Sequence, residues 1–187
     1  MTIFIINALT LTRILISVII FGFLAFETYY IPALILFFLA GTTDYLDGFL
    51  ARKFNATSPL GEVLDPVADK ILIIFCLFGL ALNLSSYLIG FIGAFIITRE
   101  IWVSALRDLN SRSNNIEATK VTFLAKIKTT VQLGTIMTYL IALAFDFMLL
   151  IIIGDIFLII SLLITIYTGL QYTCLLYTSD AADEHSC

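Results

Sequence analysis

The chain has 187 residues, of which 60% are hydrophobic and 13% charged, with a formal charge of −4 and a mean hydropathy of +1.06. Too few polar residues are present to cover a water-soluble core of this size, which excludes a soluble globular domain and leaves lipid as the solvent. We expect no nucleic-acid partner.

Six apolar segments are long enough to cross a bilayer, at residues 10–27, 30–54, 59–82, 87–109, 121–145 and 148–171. None shows the alternation with period two that a membrane β-strand requires, and lipid cannot satisfy a free backbone group. We therefore predict an all-α fold: a polytopic membrane protein with six transmembrane helices, in one domain over residues 1–173. All ten Lys and Arg residues lie toward the same ends of these segments, which predicts that both termini are cytoplasmic.

Four aspartates lie where the second and third segments approach each other. Asp44 and Asp47 are three residues apart and Asp65 and Asp69 four apart, so each pair shares a helix face. An Asp within a membrane costs about 2.5–3.5 kcal/mol on insertion scales, and the neighbouring cations are too few to neutralise four of them. Hard divalent ions prefer such oxygen ligands together with phosphate, so we predict a Mg²⁺ or Mn²⁺ site with room for a phosphorylated ligand.

The spacing of these residues carries a family resemblance. The run Asp44-x-x-Asp47-Gly48-x-x-Ala51-Arg52, then eight residues, then Gly61-x-x-x-Asp65-x-x-x-Asp69, resembles the complete signature of the CDP-alcohol phosphotransferases. Three further stretches are similar to the bacterial branch of this family that makes phosphatidylglycerol phosphate: NALTLTR at 7–13, TREIWVSALR at 98–107 and AKIKTTVQ at 125–132. The resemblance extends over residues 5–171.

This resemblance implies an enzyme that transfers the phosphatidyl group of CDP-diacylglycerol to an alcohol and releases CMP. It implies a site for two divalent ions, Mg²⁺ or Mn²⁺, held by Asp44, Asp47, Asp65 and Asp69, with Asp69 also acting as the general base. The residues that it implies for binding the CDP donor are Gly48, Ala51, Arg52 and Gly61. It further suggests a homodimer in the bacterial inner (cytoplasmic) membrane, with the active site facing the cytoplasm.

The acceptor alcohol is predicted from four cations. Arg99 and Arg107 are two helical turns apart on the fourth segment, and Lys126 and Lys128 lie near the start of the fifth. If they converge, they form a phosphate pocket that favours sn-glycerol 3-phosphate, although each cation alone is also typical of membrane anchoring. Inositol phosphate stays open as an acceptor.

Other functions stay open beside this one. Within the family they are cardiolipin, phosphatidylinositol phosphate and phosphatidylserine synthesis. A different class is a divalent-cation transporter, whose carboxylate sites typically lie near the midplane of repeated halves.

The end of the chain is treated separately. Residues 174–184, CLLYTSDAADE, resemble a translated transposase adapter of the kind used in sequencing libraries. We therefore expect residues 174–187 to be a non-native, disordered tail outside the membrane domain. This excludes the only histidine, His185, and leaves Cys76 as the sole native cysteine, a small packed hydrophobe.

Overall fold

The computed structural model describes residues 2–27, 29–54, 59–112 and 123–184, and the side chains of residues 7–27, 29–44, 46, 61, 64–106, 108 and 127–174. These ranges contain six α-helices and no strand: α1 (Thr2–Ala25), α2 (Tyr30–Phe54), α3 (Pro59–Asn83), α4 (Tyr87–Arg112), α5 (Phe123–Phe145) and α6 (Met148–Glu184). The prediction of an all-α fold is confirmed. The last helix continues through Glu184, into the segment set apart as a tail, whose non-native origin stays a prediction.

The composition of the helices confirms a polytopic membrane protein. Four stretches are long and apolar enough to cross a membrane: Asn7–Ala25, Tyr87–Leu106, Ile127–Phe145 and Met148–Cys174. The apolar part of α2 is shorter, Tyr30–Asp44, because the acidic signature begins there. The four aspartates of the predicted site lie on α2 and α3.

Three short turns define one end of the helix bundle, which we call the turn end. They include residues 26–27 and 29, residues 84–86, and residues 146–147, and they join antiparallel neighbours. Each contains a residue other than glycine in the left-handed region: Glu27 (φ 54°), Ser85 (φ 47°) and Asp146 (φ 56°). Backbone hydrogen bonds that close these turns, such as Phe147 N to Ala142 O at 3.0 Å, are typical of helix C-caps.

Helix α3 is the central element of the bundle. It contacts α1, α4 and α5, while α2 packs on α1 and α5, and α6 packs on α4 and α5. The main core fills the bundle from the turn end upward, with Ile20, Leu24, Phe37, Leu72, Leu77, Leu80, Ile89 and Leu140 among its buried residues. A second, small cluster of Val103, Leu106 and Tyr172 lies nearer the opposite end.

The packing of α5 on α6 gives the intramembrane acid Asp155 a partner. The Tyr139 hydroxyl donates a hydrogen bond to Asp155 Oδ1 at 2.6 Å. The neighbouring Gly154 makes room for that ring, because a Cβ there would lie 2.7 Å from a Tyr139 ring carbon. Asp155 therefore joins two helices within the described structure.

Four charged side chains on different helices lie at about the same depth. At a rise of 1.5 Å per residue, Arg13, Asp44, Asp69 and Glu100 each lie about 20 Å along their helices from the turn end. Four different helices thus bring ionisable groups to one level, above the apolar core.

Candidate active site

A buried arginine joins two of the predicted acidic residues. Arg13 Nη1 lies 2.9 Å from Asp44 Oδ1 and 2.7 Å from Asp69 Oδ1, so these two oxygens are no farther apart than the sum of the two distances. The Arg13 side chain is 0% exposed, whereas those of Asp44 and Asp69 are 49% and 38% exposed. One cation from α1 therefore neutralises acids on α2 and α3 from the interior side.

A threonine one turn earlier on α1 contacts the third acid. The hydroxyl of buried Thr10 donates a hydrogen bond to Asp65 Oδ1 at 2.7 Å. Thr10 and Arg13, three residues apart on α1, thus match Asp65 and Asp69, four apart on α3. In the sequence, these two α1 residues were part of the family-like stretch NALTLTR. The similar spacing of the two α1 residues and the two α3 acids was the signal that could have placed Thr10 and Arg13 in the site.

The oxygen atoms of these carboxylates are suitable ligands for a hard divalent ion. Asp44 and Asp69 converge on a single positively charged nitrogen, so a cation is accommodated at that point, and their oxygens are the ligands that Mg²⁺ and Mn²⁺ prefer. Among the described side chains, no group of three or more His, Cys, Asp or Glu residues is close enough to hold a metal ion. The side chain of Asp47, the fourth predicted ligand, lies outside the described part.

The donor-binding residues predicted from the resemblance fall mainly outside the described side chains. This applies to Gly48, Ala51 and Arg52, whose predicted roles stay predictions. Gly61 is buried on α3, one helical turn before Asp65.

An apolar cavity begins at the acidic cluster. It has a volume of about 440 Å³ and lies between α2, α3 and α5, with Arg13, Asp44 and Asp69 at its polar end. The rest of its wall is largely apolar and includes Phe37, Leu72, Ile73, Leu133 and Met137. It reaches the protein surface at Gly41 and Phe38, which are both exposed. We call it the α2–α5 cavity.

A second, more polar cavity lies on the other side of Asp69. It has a volume of about 410 Å³ between α3, α4 and α5, and its polar lining comprises Asp69, Lys70, Glu100, Ser104, Lys128, Thr129 and Gln132. We call it the α3–α5 pocket. Asp69 contributes to the walls of both cavities.

Glu100 organises the cations beside this pocket. Its carboxylate pairs with Lys128 Nζ and with Arg99 Nη1, the latter at 3.1 Å. On the facing wall, Lys70 Nζ donates a hydrogen bond to Ser104 Oγ at 2.5 Å. The pocket wall therefore contains two lysines, Lys70 and Lys128, and two carboxylates, Glu100 and Asp69.

The structure separates the cations that were predicted to bind the acceptor. Lys128 lines the α3–α5 pocket, whereas Arg99 Nη2 donates to Thr168 of α6 at 2.6 Å and lines a different groove, between α4 and α6. The side chains of Arg107 and Lys126 lie outside the described part. Sequence reasoning missed Lys70 as a pocket residue, although its position directly after Asp69 was a usable signal.

Fold and site together define a class: a membrane helix bundle with an acidic cluster between an apolar cavity and a pocket that contains two lysines. The sequence model of the CDP-alcohol phosphatidyltransferase family matches residues 4–167. The chain belongs to this family, and the resemblance noted from the signature residues is confirmed.

Curated relatives are similar over much of the chain. A CDP-diacylglycerol–glycerol-3-phosphate 3-phosphatidyltransferase of Blochmanniella floridana is 39% identical over 127 residues, 67% of each chain. A protein of the same name from Wigglesworthia glossinidia brevipalpis is 34% identical over 89% of this chain and 91% of the relative. Another, from Sodalis glossinidius (strain morsitans), is 39% identical over 57% of this chain and 58% of the relative.

Proposed function

We infer that this protein transfers the phosphatidyl group of CDP-diacylglycerol to sn-glycerol 3-phosphate, giving phosphatidylglycerol phosphate and CMP. The acceptor hydroxyl oxygen forms a new bond to phosphorus, and the bond from that phosphorus to the CMP oxygen breaks. Family membership and the shared name of the relatives support this reaction. The observation that carries it is that Asp69 lies at once in the wall of an apolar cavity and in the wall of a pocket that contains two lysines.

The α2–α5 cavity suits the lipid donor. Its apolar walls can accommodate an acyl chain entering from the lipid at Phe38 and Gly41, while its polar end receives the diphosphate. That end is where the resemblance places the CDP contacts of Gly48, Ala51, Arg52 and Gly61.

Asp44, Asp65 and Asp69, together with Asp47, would hold two divalent ions, Mg²⁺ or Mn²⁺. Such ions neutralise phosphate charge and stabilise an in-line displacement at phosphorus. The convergence of two carboxylates on one cationic position supports this assignment.

The α3–α5 pocket suits a small phosphorylated acceptor. Lys70 and Lys128 offer two ammonium groups, and Ser104 offers a hydroxyl, to a phosphate dianion. Glu100 orients Lys128, and Arg99 acts through Glu100 rather than from the pocket wall. Arg107 and Lys126 stay candidates for the same phosphate. An acceptor that has no phosphate would offer these lysines no dianion to bind.

Asp69 is the proposed general base. A carboxylate can accept the proton of an attacking hydroxyl when it lies within hydrogen-bond reach of it. Its position between the two cavities brings it next to both substrates, and its side chain is partly exposed to them.

The basic residues support the proposed orientation: both termini and the active site face the cytoplasm, in a bacterial inner membrane. We also propose a homodimer, which rests on the family resemblance. The molar mass of the detergent-solubilised protein would test it.

The reaction is tested with the purified protein in lipid nanodiscs by measuring CMP released from CDP-diacylglycerol. Candidate acceptors are sn-glycerol 3-phosphate, inositol phosphate, serine and phosphatidylglycerol, each with Mg²⁺, Mn²⁺ or a chelator. We expect release only with glycerol 3-phosphate and a divalent ion. Release with another acceptor would reassign the enzyme within its family, and activity that persists in chelator would overturn the metal site. Uptake of Mn²⁺ into proteoliposomes without CMP release would instead support the transporter.

A further inference from the structure

Arg13 approaches the acidic cluster from the interior of the protein and not from the solvent side. Its side chain is fully buried against α2 and α3, whereas the carboxylates that it contacts are 49% and 38% exposed and face the α2–α5 cavity. A single nitrogen, Nη1, lies within 3 Å of one oxygen from each acid. The guanidinium thus occupies the point on which the two acids converge.

A divalent ion cannot share that point with Arg13. Mg²⁺ binds carboxylate oxygens at about 2.0–2.1 Å, so an ion on the Oδ1 atoms of Asp44 and Asp69 would come into close contact with Nη1. Two positive charges at such a separation repel by several kcal/mol at the effective dielectric constant of about 20 that applies near a protein surface. One of the two cations must therefore leave these oxygens.

We propose that Arg13 is a built-in counter-cation that competes with the divalent ion for the carboxylate oxygens of Asp44 and Asp69. This inference rests on the proposed metal site. Without an ion, Arg13 offsets negative charge of two acids that lie between membrane helices. When an ion binds, the guanidinium is displaced but stays beside the α2–α5 cavity, next to the proposed position of the donor diphosphate.

Competition between Arg13 and the divalent ion predicts a result that a purely structural role of Arg13 does not predict. If Arg13 stabilises the two carboxylates against the ion, its removal must raise the affinity for the ion, because the coupling between two ligands of one site is reciprocal. If Arg13 only holds α1 against α3, its removal should leave that affinity unchanged or lower it.

The test measures Mn²⁺ binding to the chelator-treated, full-length protein in detergent, without nucleotide, from the electron paramagnetic resonance signal of free Mn²⁺. We expect Arg13→Gln to bind Mn²⁺ on the order of tenfold more tightly than the wild type, within the usual range of coupling between sites. Arg99→Gln is the matched control, since Arg99 is also a buried arginine paired with a carboxylate, outside the acidic cluster. Its Mn²⁺ affinity should equal that of the wild type.

Thermal unfolding covers the possibility that Arg13→Gln folds poorly. In chelator this variant should unfold at a lower temperature than the wild type, and Mn²⁺ should raise its melting temperature more than that of the wild type. Arg13→Lys, which keeps one positive charge, should lie between the two in both measurements.

The outcomes separate the two proposals. Equal or weaker Mn²⁺ binding by Arg13→Gln, with measurable binding by the wild type, overturns the competition and leaves the metal site intact. Failure of the wild type and of every variant to bind Mn²⁺ overturns the metal site and the competition with it.

Discussion

Two ion clusters at the same depth of the bundle have opposite composition. Arg13 pairs with two acids, Asp44 and Asp69, whereas Glu100 pairs with two cations, Arg99 and Lys128. Among these six described side chains, the first set has one more negative than positive charge and borders the α2–α5 cavity, and the second has one more positive charge and borders the α3–α5 pocket. The two sets are therefore suited to different ligands, a cation at the first and an anion at the second.

The proposed reaction would use both preferences. Metal ions would bind at the acidic cluster, and the phosphate dianion of the acceptor would bind at the lysines. Asp69 belongs to the first cluster and also lines the second cavity, so it lies where the two halves of the reaction meet. Four variants, in order of expected effect, test this division.

The largest effect is expected where the two regions meet. Asp69→Asn removes a carboxylate that we propose as metal ligand and general base, so kcat should fall by about 10³-fold or more, since general-base catalysis alone contributes about 10²–10⁴-fold. The measurement is CMP release at saturating substrates. Asp146→Asn, the same change at the turn end where Asn also tolerates a positive φ, should keep wild-type kcat. A kcat of Asp69→Asn within tenfold of the wild type would exclude Asp69 as the base.

The second variant removes a cation from the pocket wall. Lys128→Gln should raise the KM for glycerol 3-phosphate about tenfold or more, because a charge-assisted bond to phosphate contributes about 1.5–3 kcal/mol. The KM for CDP-diacylglycerol should stay unchanged. Arg99→Gln should raise the acceptor KM less, because Arg99 lines the α4–α6 groove instead. An equal effect of both variants would contradict the separation of these two cations.

The third variant narrows the α2–α5 cavity. Gly134 lines this cavity, and a Cβ built on it meets nothing within 4 Å, so Gly134→Leu projects new volume into it. We expect the KM for a long-chain CDP-diacylglycerol to rise by roughly fivefold, since a clash or lost apolar contact of about 1 kcal/mol corresponds to that factor. The KM for glycerol 3-phosphate should not change. Gly22→Leu, also with open space around its Cβ but outside the cavity lining, is the control.

The smallest effect is expected at the turn end, which contacts neither cluster. Ser85 has a φ of 47°, a backbone conformation that glycine adopts without the strain of a Cβ. Ser85→Gly should change the free energy of unfolding by less than about 1 kcal/mol and leave both KM values unchanged. A change in either KM would show that the turn end influences the two clusters. At a rise of 1.5 Å per helical residue, the clusters lie about 20 Å from the turn end.

Much of the architecture was predictable because it depends on local properties. The second predicted segment, 30–54, coincides with α2 (Tyr30–Phe54), and the third with α3 (Pro59–Asn83) to within one residue. Hydropathy and helix-start residues act over a few neighbouring positions, so they are readable without knowledge of the fold. The spacing of Asp65 and Asp69 likewise placed both on one face before any packing was known.

The pairing partners of those acids were not predictable in the same way. Arg13 meets Asp69 across 56 positions of chain, and Arg99 meets Thr168 across 69. Such contacts depend on how each helix is rotated and on which helices are neighbours, and an apolar span exposed to lipid on several sides encodes neither strongly.

Local composition and period were thus enough to predict six helices and to place Asp65 and Asp69 on one helix face. Three features came from the packing of the helices: Arg13 pairs with Asp44 and Asp69, Arg99 turns to α6 while Lys128 lines the pocket, and Asp69 borders two cavities. The physical reason is that these contacts are settled by the packing of whole helices against one another, where side chains distant in the chain compete for the same partners.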